Sequence, residues 1–97
     1  MYARQVDRVL KAGTRQKAEE LIERALVSLK EREGFRDAIV MFDTEIDEFC
    51  IYTTTLTVWD TLEEAVIMGT PQLKQEISEI EKVPPIVHVY EIYQSKA

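Results

Sequence analysis

The sequence is short of most residues that ordinarily announce a reaction. Among its 97 residues there is one cysteine, one histidine and one tryptophan, with three glycines and three prolines. A single thiol, Cys50, permits no intrachain disulfide, which matches a reducing compartment. No Cys/His metal spacing, Gly-rich phosphate loop or nucleophile elbow occurs. First-row metals ordinarily take several N, S or carboxylate ligands, so no metal and no cofactor is expected. No apolar run approaches the ~20 residues that cross a bilayer. The opening MYARQVDRVL lacks the apolar segment of a signal peptide. The expected location is therefore the cytoplasm.

Positive charge is scarce as well. Twelve Lys and Arg stand against 18 Asp and Glu, a formal net charge of −6. Sequence-independent nucleic-acid binding rests on cations that neutralise phosphates, so the acidic balance argues against that class and no nucleic-acid partner is expected. Anionic membrane surfaces are disfavoured for the same reason.

What is present describes a soluble globular chain. Apolar residues make up 45% and charged residues 31%, which is not the composition of a disordered segment. The length fits a single domain over residues 1–97. A chain this short buries a modest fraction of its surface alone, so self-association would add burial.

Periodicity orders the chain. Residues 2–10 alternate, with Tyr2, Arg4, Val6, Arg8 and Leu10 on one face of a short strand. Thr14 stands where a helix N-cap is expected. Ala18, Leu21, Ile22, Ala25, Leu26 and Leu29 then recur at helical spacing, and Gly34 is placed to end that helix as a left-handed cap. In FRDAIVMFDT, Phe35, Ile39 and Met41 share one side, and Ala38, Val40 and Phe42 the other. That strand reads as buried on both faces. Residues 43–48 form a polar link, and Phe49 to Val58 form a Thr-rich strand that leads to Trp59. Asp60 with Glu63, and Thr61 with Glu64, both fit a capping box, so either residue opens the next helix. Gly69 interrupts it. Thr70-Pro71 restarts it, and Pro84-Pro85 prevents continuation. The run IVHVYEIY makes a last strand.

The order is β-α-β-β-α-β. This is the α+β, ferredoxin-like plan of a four-stranded antiparallel sheet with two helices on one face. Helices cover only that face, yet the second, third and last strands are apolar on both. A bare second face would be a large exposed patch. A second copy of the sheet is the simplest cover, so a homodimer through the sheet face is expected.

The order, together with LKEREGFRDAIV and TVWDTLEEAVIMGTPQLK, resembles the antibiotic biosynthesis monooxygenase family of dimeric α/β-barrel proteins. The resemblance runs over almost the whole chain. It implies that two sheets pack into a barrel and that a pocket lies between sheet and helices. It further implies a cofactor-independent monooxygenase acting on a small aromatic or quinol. The haem-degrading branch of that family looks for an Asn on the first strand, a second Trp in the second helix and a later His. This chain has no Asn there, Met68 at the Trp position and no His in residues 72–82, so haem degradation is disfavoured.

Each candidate side chain carries two readings. Trp59 is a pocket wall that stacks on an aromatic ligand, or a large residue sealing a strand-to-helix corner. His88 is the one side chain of the residue type suited to general-base work on a phenol near neutral pH, or is a packed interface residue. Tyr52 and Tyr90, placed near His88 if the strands pair as proposed, form a polar aromatic pocket or an interface. Arg4 and Arg8 hold an anionic substrate or pair with acids of a partner. Cys50 reads as a buried inert thiol, and the glutamates, Glu81 among them, as solvated helix faces. Two functions follow: a cofactor-free oxygenase with His88 as base and Trp59, Tyr52, Tyr90 and Arg4 around the substrate, or a non-catalytic small-molecule-binding or interaction module on the same dimeric scaffold.

Overall fold

The computed structural model describes residues 1–45, 47–66 and 69–97. Met68, where the resemblance looks for a second tryptophan, lies outside the described residues, as does Ile46 in the polar link. Four strands, β1 (Tyr2–Lys11), β2 (Phe35–Phe42), β3 (Cys50–Trp59) and β4 (Ile86–Glu91), pair antiparallel in the order β2-β3-β1-β4. Helices α1 (Arg15–Lys30), α2 (Leu62–Val66) and α3 (Pro71–Ile80) complete a β-α-β-β-α-α-β chain. The ferredoxin-like plan holds, with its second helical connection in two pieces.

Local chemistry explains most of the boundaries. The Thr70 hydroxyl accepts from the Leu73 amide at 3.3 Å, and Pro71 takes the first helical position. Of the two capping frames before α2, Thr61 with Glu64 is the one formed. The Thr61 amide and hydroxyl donate to Glu64 Oε1 at 3.2 and 2.8 Å, and the Glu64 amide donates back to the Thr61 hydroxyl at 3.3 Å. Asp60 turns instead to Arg36 Nε. The core is small: Val6 and Leu10 of β1, Ala18 and Leu21 of α1, Trp59 of β3 and Ala65 of α2 are buried.

Four expectations need correction. Thr14 precedes α1 without capping it, because its hydroxyl donates to the Lys11 carbonyl at 2.7 Å. Gly34 has the left-handed φ of +83° but stands well past Lys30, where it turns the chain into β2 and not out of the helix. The second strand is not buried on both faces: β2 is a sheet edge, and Ile39 and Met41 are about half exposed. Phe35 does not share a side with Ile39 and Met41, because a bulge between Phe35 and Asp37 shifts the pairing by one residue. The extra residue of a bulge reverses the alternation, so Phe35 meets Trp59 edge-on with ring centroids 5.5 Å apart.

Gly34 therefore does two things. It supplies a left-handed turn, and its bare Cα admits the Glu64 carboxylate, on which any Cβ at this position would land. The Gly34 carbonyl also accepts from the Asp60 amide at 2.9 Å. Gly13 has a similar φ of +78° but open space around it. Gly34→Ala is expected to destabilise by more than about 1 kcal/mol from backbone strain, plus the loss of a capping interaction worth about 0.5–2 kcal/mol. Gly13→Ala carries only the first of these costs. Urea denaturation of both variants checks this, and equal losses would refute the contact with Glu64.

Candidate functional site

Strand pairing assigns every side chain of the sheet to a face, because cross-strand partners point the same way. Arg4 pairs with Thr57 and Val89, and Val6 with Thr55 and Val87. These residues, with Arg8 and Trp59, face the helices. Between them and the helices lies a cavity of about 620 Å³. Its apolar wall includes Leu26 and Leu29 of α1, Leu73 and Ile77 of α3, and Trp59. That volume and lining fall in the range of small-molecule sites.

The roof over this space is lightly attached. No residue of α3 is buried. Arg24 of α1 binds Glu76 of α3 through both terminal guanidinium nitrogens, which holds the Glu76 carboxyl below its ordinary range. Lys11 Nζ donates to the Glu79 carbonyl at 2.9 Å, and the Lys82 amide donates to the Val9 carbonyl at 2.8 Å.

Trp59 satisfies parts of both its readings. It is 1% exposed. Its indole Nε1 donates to the Thr57 hydroxyl at 2.8 Å, so the N–H is satisfied locally and the ring seals the corner. The same residue also lines the cavity.

The sheet wall of the cavity carries charge. Arg4 Nη1 donates to the Val66 carbonyl at 3.2 Å. Burial, and then the nearby Arg32 cation, lowers the Arg4 pKa. Arg8 Nε stands 3.8 Å from Glu81 Oε2, an ion-pair contact too long for a hydrogen bond. Burial lowers Arg8 and raises Glu81, and their mutual attraction opposes both shifts. Glu81 was expected on a solvated helix face. It is instead the C-cap of α3, in an isolated bridge with Leu10, with its side chain 10% exposed beside Arg8.

The expectation of one pocket for all candidate residues is corrected by the same pairing. Gln5 pairs with His88 and Leu56, Ala3 with Tyr90 and Val58, and Val9 with Tyr52. His88, Tyr90 and Tyr52 thus lie on the open face, opposite the helices, whereas Arg4 and Trp59 face the cavity. His88 and Tyr90 stack, with centroids 5.8 Å apart and ring planes at 19°. Tyr52 is apart from them, beside the far end of β1. Its phenol is pushed up to about 12 by the Cys50 thiol and then by the Asp47 carboxylate, so it stays protonated. Cys50 is buried, as expected, with its thiol 3.4 Å from Asp47 Oδ2. At the middle of the open face, Asp7 accepts from the Thr54 hydroxyl at 2.7 Å and from Gln5 Nε2 at 3.2 Å. Chiefly the first of these holds its carboxyl below the usual range.

Among the described residues, no three His, Cys, Asp or Glu side chains gather as a metal-ligating group. No helix among the described residues is long and apolar enough to cross a membrane.

No family model and no curated protein matches the chain. Solved structures do. A protein of Nitrosomonas europaea assigned to the antibiotic biosynthesis monooxygenases superposes with a TM-score of 0.81 at 11% identity, over 97% of this chain and 100% of that one. SnoaB of Streptomyces nogalater, described as a cofactor-independent oxygenase, gives 0.75 at 12% identity, over 98% and 96%. A conserved protein of Methanosarcina mazei gives 0.71 at 19% identity, over 93% and 92%. At these identities the likeness is one of fold, and it bears out the fold that the resemblance implies.

Thr57 is 4% exposed and is the acceptor for the Trp59 indole. Thr57→Val keeps the shape and orphans a buried donor, which costs about 1–3 kcal/mol. Thr57→Ser is expected to recover most of that loss. Chemical denaturation followed by Trp59 fluorescence distinguishes the two.

Proposed function

We propose that the chain is a cofactor-independent monooxygenase that oxidises a small aromatic or quinol in the cavity between sheet and helices. The observation that carries this reading is the cavity itself: about 620 Å³, apolar over most of its wall, with Trp59 at one end and the Arg4 and Arg8 guanidiniums on its floor. The fold shared with SnoaB supports it. For a methylene flanked by aromatic rings, one atom of O₂ becomes the new carbonyl oxygen and the other leaves as water. All four electrons come from the substrate. The protein's part is to bind the ring, exclude water and stabilise the anion that reacts with O₂.

In this reading Arg4 and Trp59 contact the substrate. Both arginines are partly buried, so their charge acts more strongly on a developing anion than it would in open water. Oxygen uptake with a panel of naphthols, anthrones and quinols tests the assignment. Arg4→Met is expected to lower kcat/KM at least tenfold on any substrate found. Absence of turnover across the panel, with binding retained, would hand the site to a non-catalytic binding module.

The second half of the proposal concerns the open face. Ile39, Met41, Ile86 and Tyr90 are each 47–59% exposed on it, around the Asp7–Thr54–Gln5 network. A homodimer through this sheet face covers them, with His88, Tyr90 and Tyr52 at the contact. Sedimentation at micromolar concentration is expected to show a dimer, and Met41→Glu to dissociate it. His88→Ala is expected to weaken association and spare turnover. Lost turnover in an intact dimer would return His88 to the reaction as its base.

A further inference from the structure

The charge around the cavity runs against the charge of the chain. Acids outnumber Lys and Arg by 18 to 12 over the sequence. On the cavity lining the balance reverses: Arg4, Arg8, Arg24, Lys74 and Lys82 stand against Glu81 alone. Much of that positive charge is already engaged. Arg24 is bound by Glu76, and Arg8 lies 3.8 Å from Glu81. Lys82 Nζ donates to the Phe49 carbonyl at 3.4 Å. Arg4 is different.

Among the described residues no carboxylate comes within ion-pair distance of Arg4. Its Nη1 donates to the neutral Val66 carbonyl. Its charged neighbours are cations. Burial first, and then repulsion from Arg32, lowers the Arg4 pKa. Arg8 is lowered by burial and, against the attraction of Glu81, by Arg4 in turn. A partly buried cation between two like charges is unfavourable until an anion joins it.

Arg4 also has the donors to hold one. Its Nε and Nη2 make no hydrogen bond among the described residues, and neither is enclosed, so both stay open to a ligand. These two atoms form one edge of the planar guanidinium, the edge that donates in parallel to both oxygens of a carboxylate. Register puts an aromatic wall beside that edge. Trp59 pairs with Tyr2, two residues from Arg4 and on the same face of the sheet. Across the cavity stand Leu73 and Ile77 of α3. A rigid ring fills such a space at a lower ordering cost than a flexible chain. We propose that the cavity selects an aromatic carboxylate, with the carboxylate held by Arg4 and the ring between Trp59 and the apolar side chains of α3.

This selection rests on the cavity being a ligand site and needs no turnover. It adds a permanent charge to the aromatic or quinol substrate proposed above, at a fixed end of the cavity. Glu81 disfavours an anion at the other end, because it already answers Arg8 there.

Equilibrium dialysis of the intact protein against 2-naphthoate, its neutral near-isostere 2-naphthamide, and octanoate tests the selection. Naphthoate is expected to bind at least about tenfold more tightly than naphthamide, the worth of one charge-assisted pair, and more tightly than octanoate. Arg4→Met is expected to remove the preference for naphthoate while keeping naphthamide affinity. Arg4→Lys, which keeps the charge without the planar edge, is expected to retain part of it. The double variant Arg8→Met with Glu81→Gln removes a balanced pair and is expected to leave the preference in place. Equal binding of naphthoate and naphthamide by the wild-type protein overturns the charge selection and leaves the cavity reading intact. Octanoate binding as tightly as naphthoate overturns the aromatic class. An equal loss of preference in the double variant and in Arg4→Met overturns the placement at Arg4. Failure of all three probes to bind overturns the selection and the cavity reading together. The wild-type series decides the ligand class even where a variant does not fold.

Discussion

Successive side chains of a strand point to opposite faces, and β1 is where that constraint governs this molecule. As an inner strand, paired on both edges, it commits Arg4, Val6, Arg8 and Leu10 to the helices and Ala3, Gln5, Asp7 and Val9 to the other side. Its partners inherit the division through register. The cavity-facing arginines, the apolar floor and the polar network around Asp7 all follow from one alternation in ten residues. A slip of one residue in β1 would exchange the two faces entirely.

The cavity exists because the helices do not close down on the sheet. In α1, Ala18 and Leu21 are buried, which fixes that helix close to the sheet. In α3 nothing is buried, and its attachments are polar and mostly exposed. Such a helix contributes little to global stability and opens at lower cost than the strands beneath it. Unpacked apolar side chains are a loss in a domain this small, and their persistence around one space is what a binding site requires. The partial burial of two guanidiniums on the sheet wall has the same character. It costs desolvation, and Glu81 offsets only part of it.

The fold was legible in the sequence, and the site only in half. Thr70-Pro71, Trp59 at the strand end and the Thr61–Glu64 box are local signals whose chemistry needs no distant partner. The bulge after Phe35 left no such mark, so alternation placed Phe35 on the wrong side. Histidine is a general-base candidate by residue type, but pairing with Gln5 sends His88 away from the cavity. Periodicity within a strand sorts residues into two sets without saying which set faces the helices. Glu81 was missed for a different reason: one acid among several at the end of a polar helix looks solvated until the chain after α3 folds back against β1. Arg4 and Arg8 are visible as a pair, and only the structure shows that both face the cavity, partly buried.

The bare Cα of Gly34 has a consequence beyond the turn it makes. The Glu64 carboxylate that caps α2 fills the space a side chain at 34 would need. Residues 34 and 64, thirty positions apart in the chain, are therefore coupled through the cap. A larger residue at 34 swings the flexible Glu64 carboxylate aside, so Glu64 can stay while the helix start loses its partner. A double-mutant cycle across the contact reads that coupling. The glycine thus protects a helix start that it never joins.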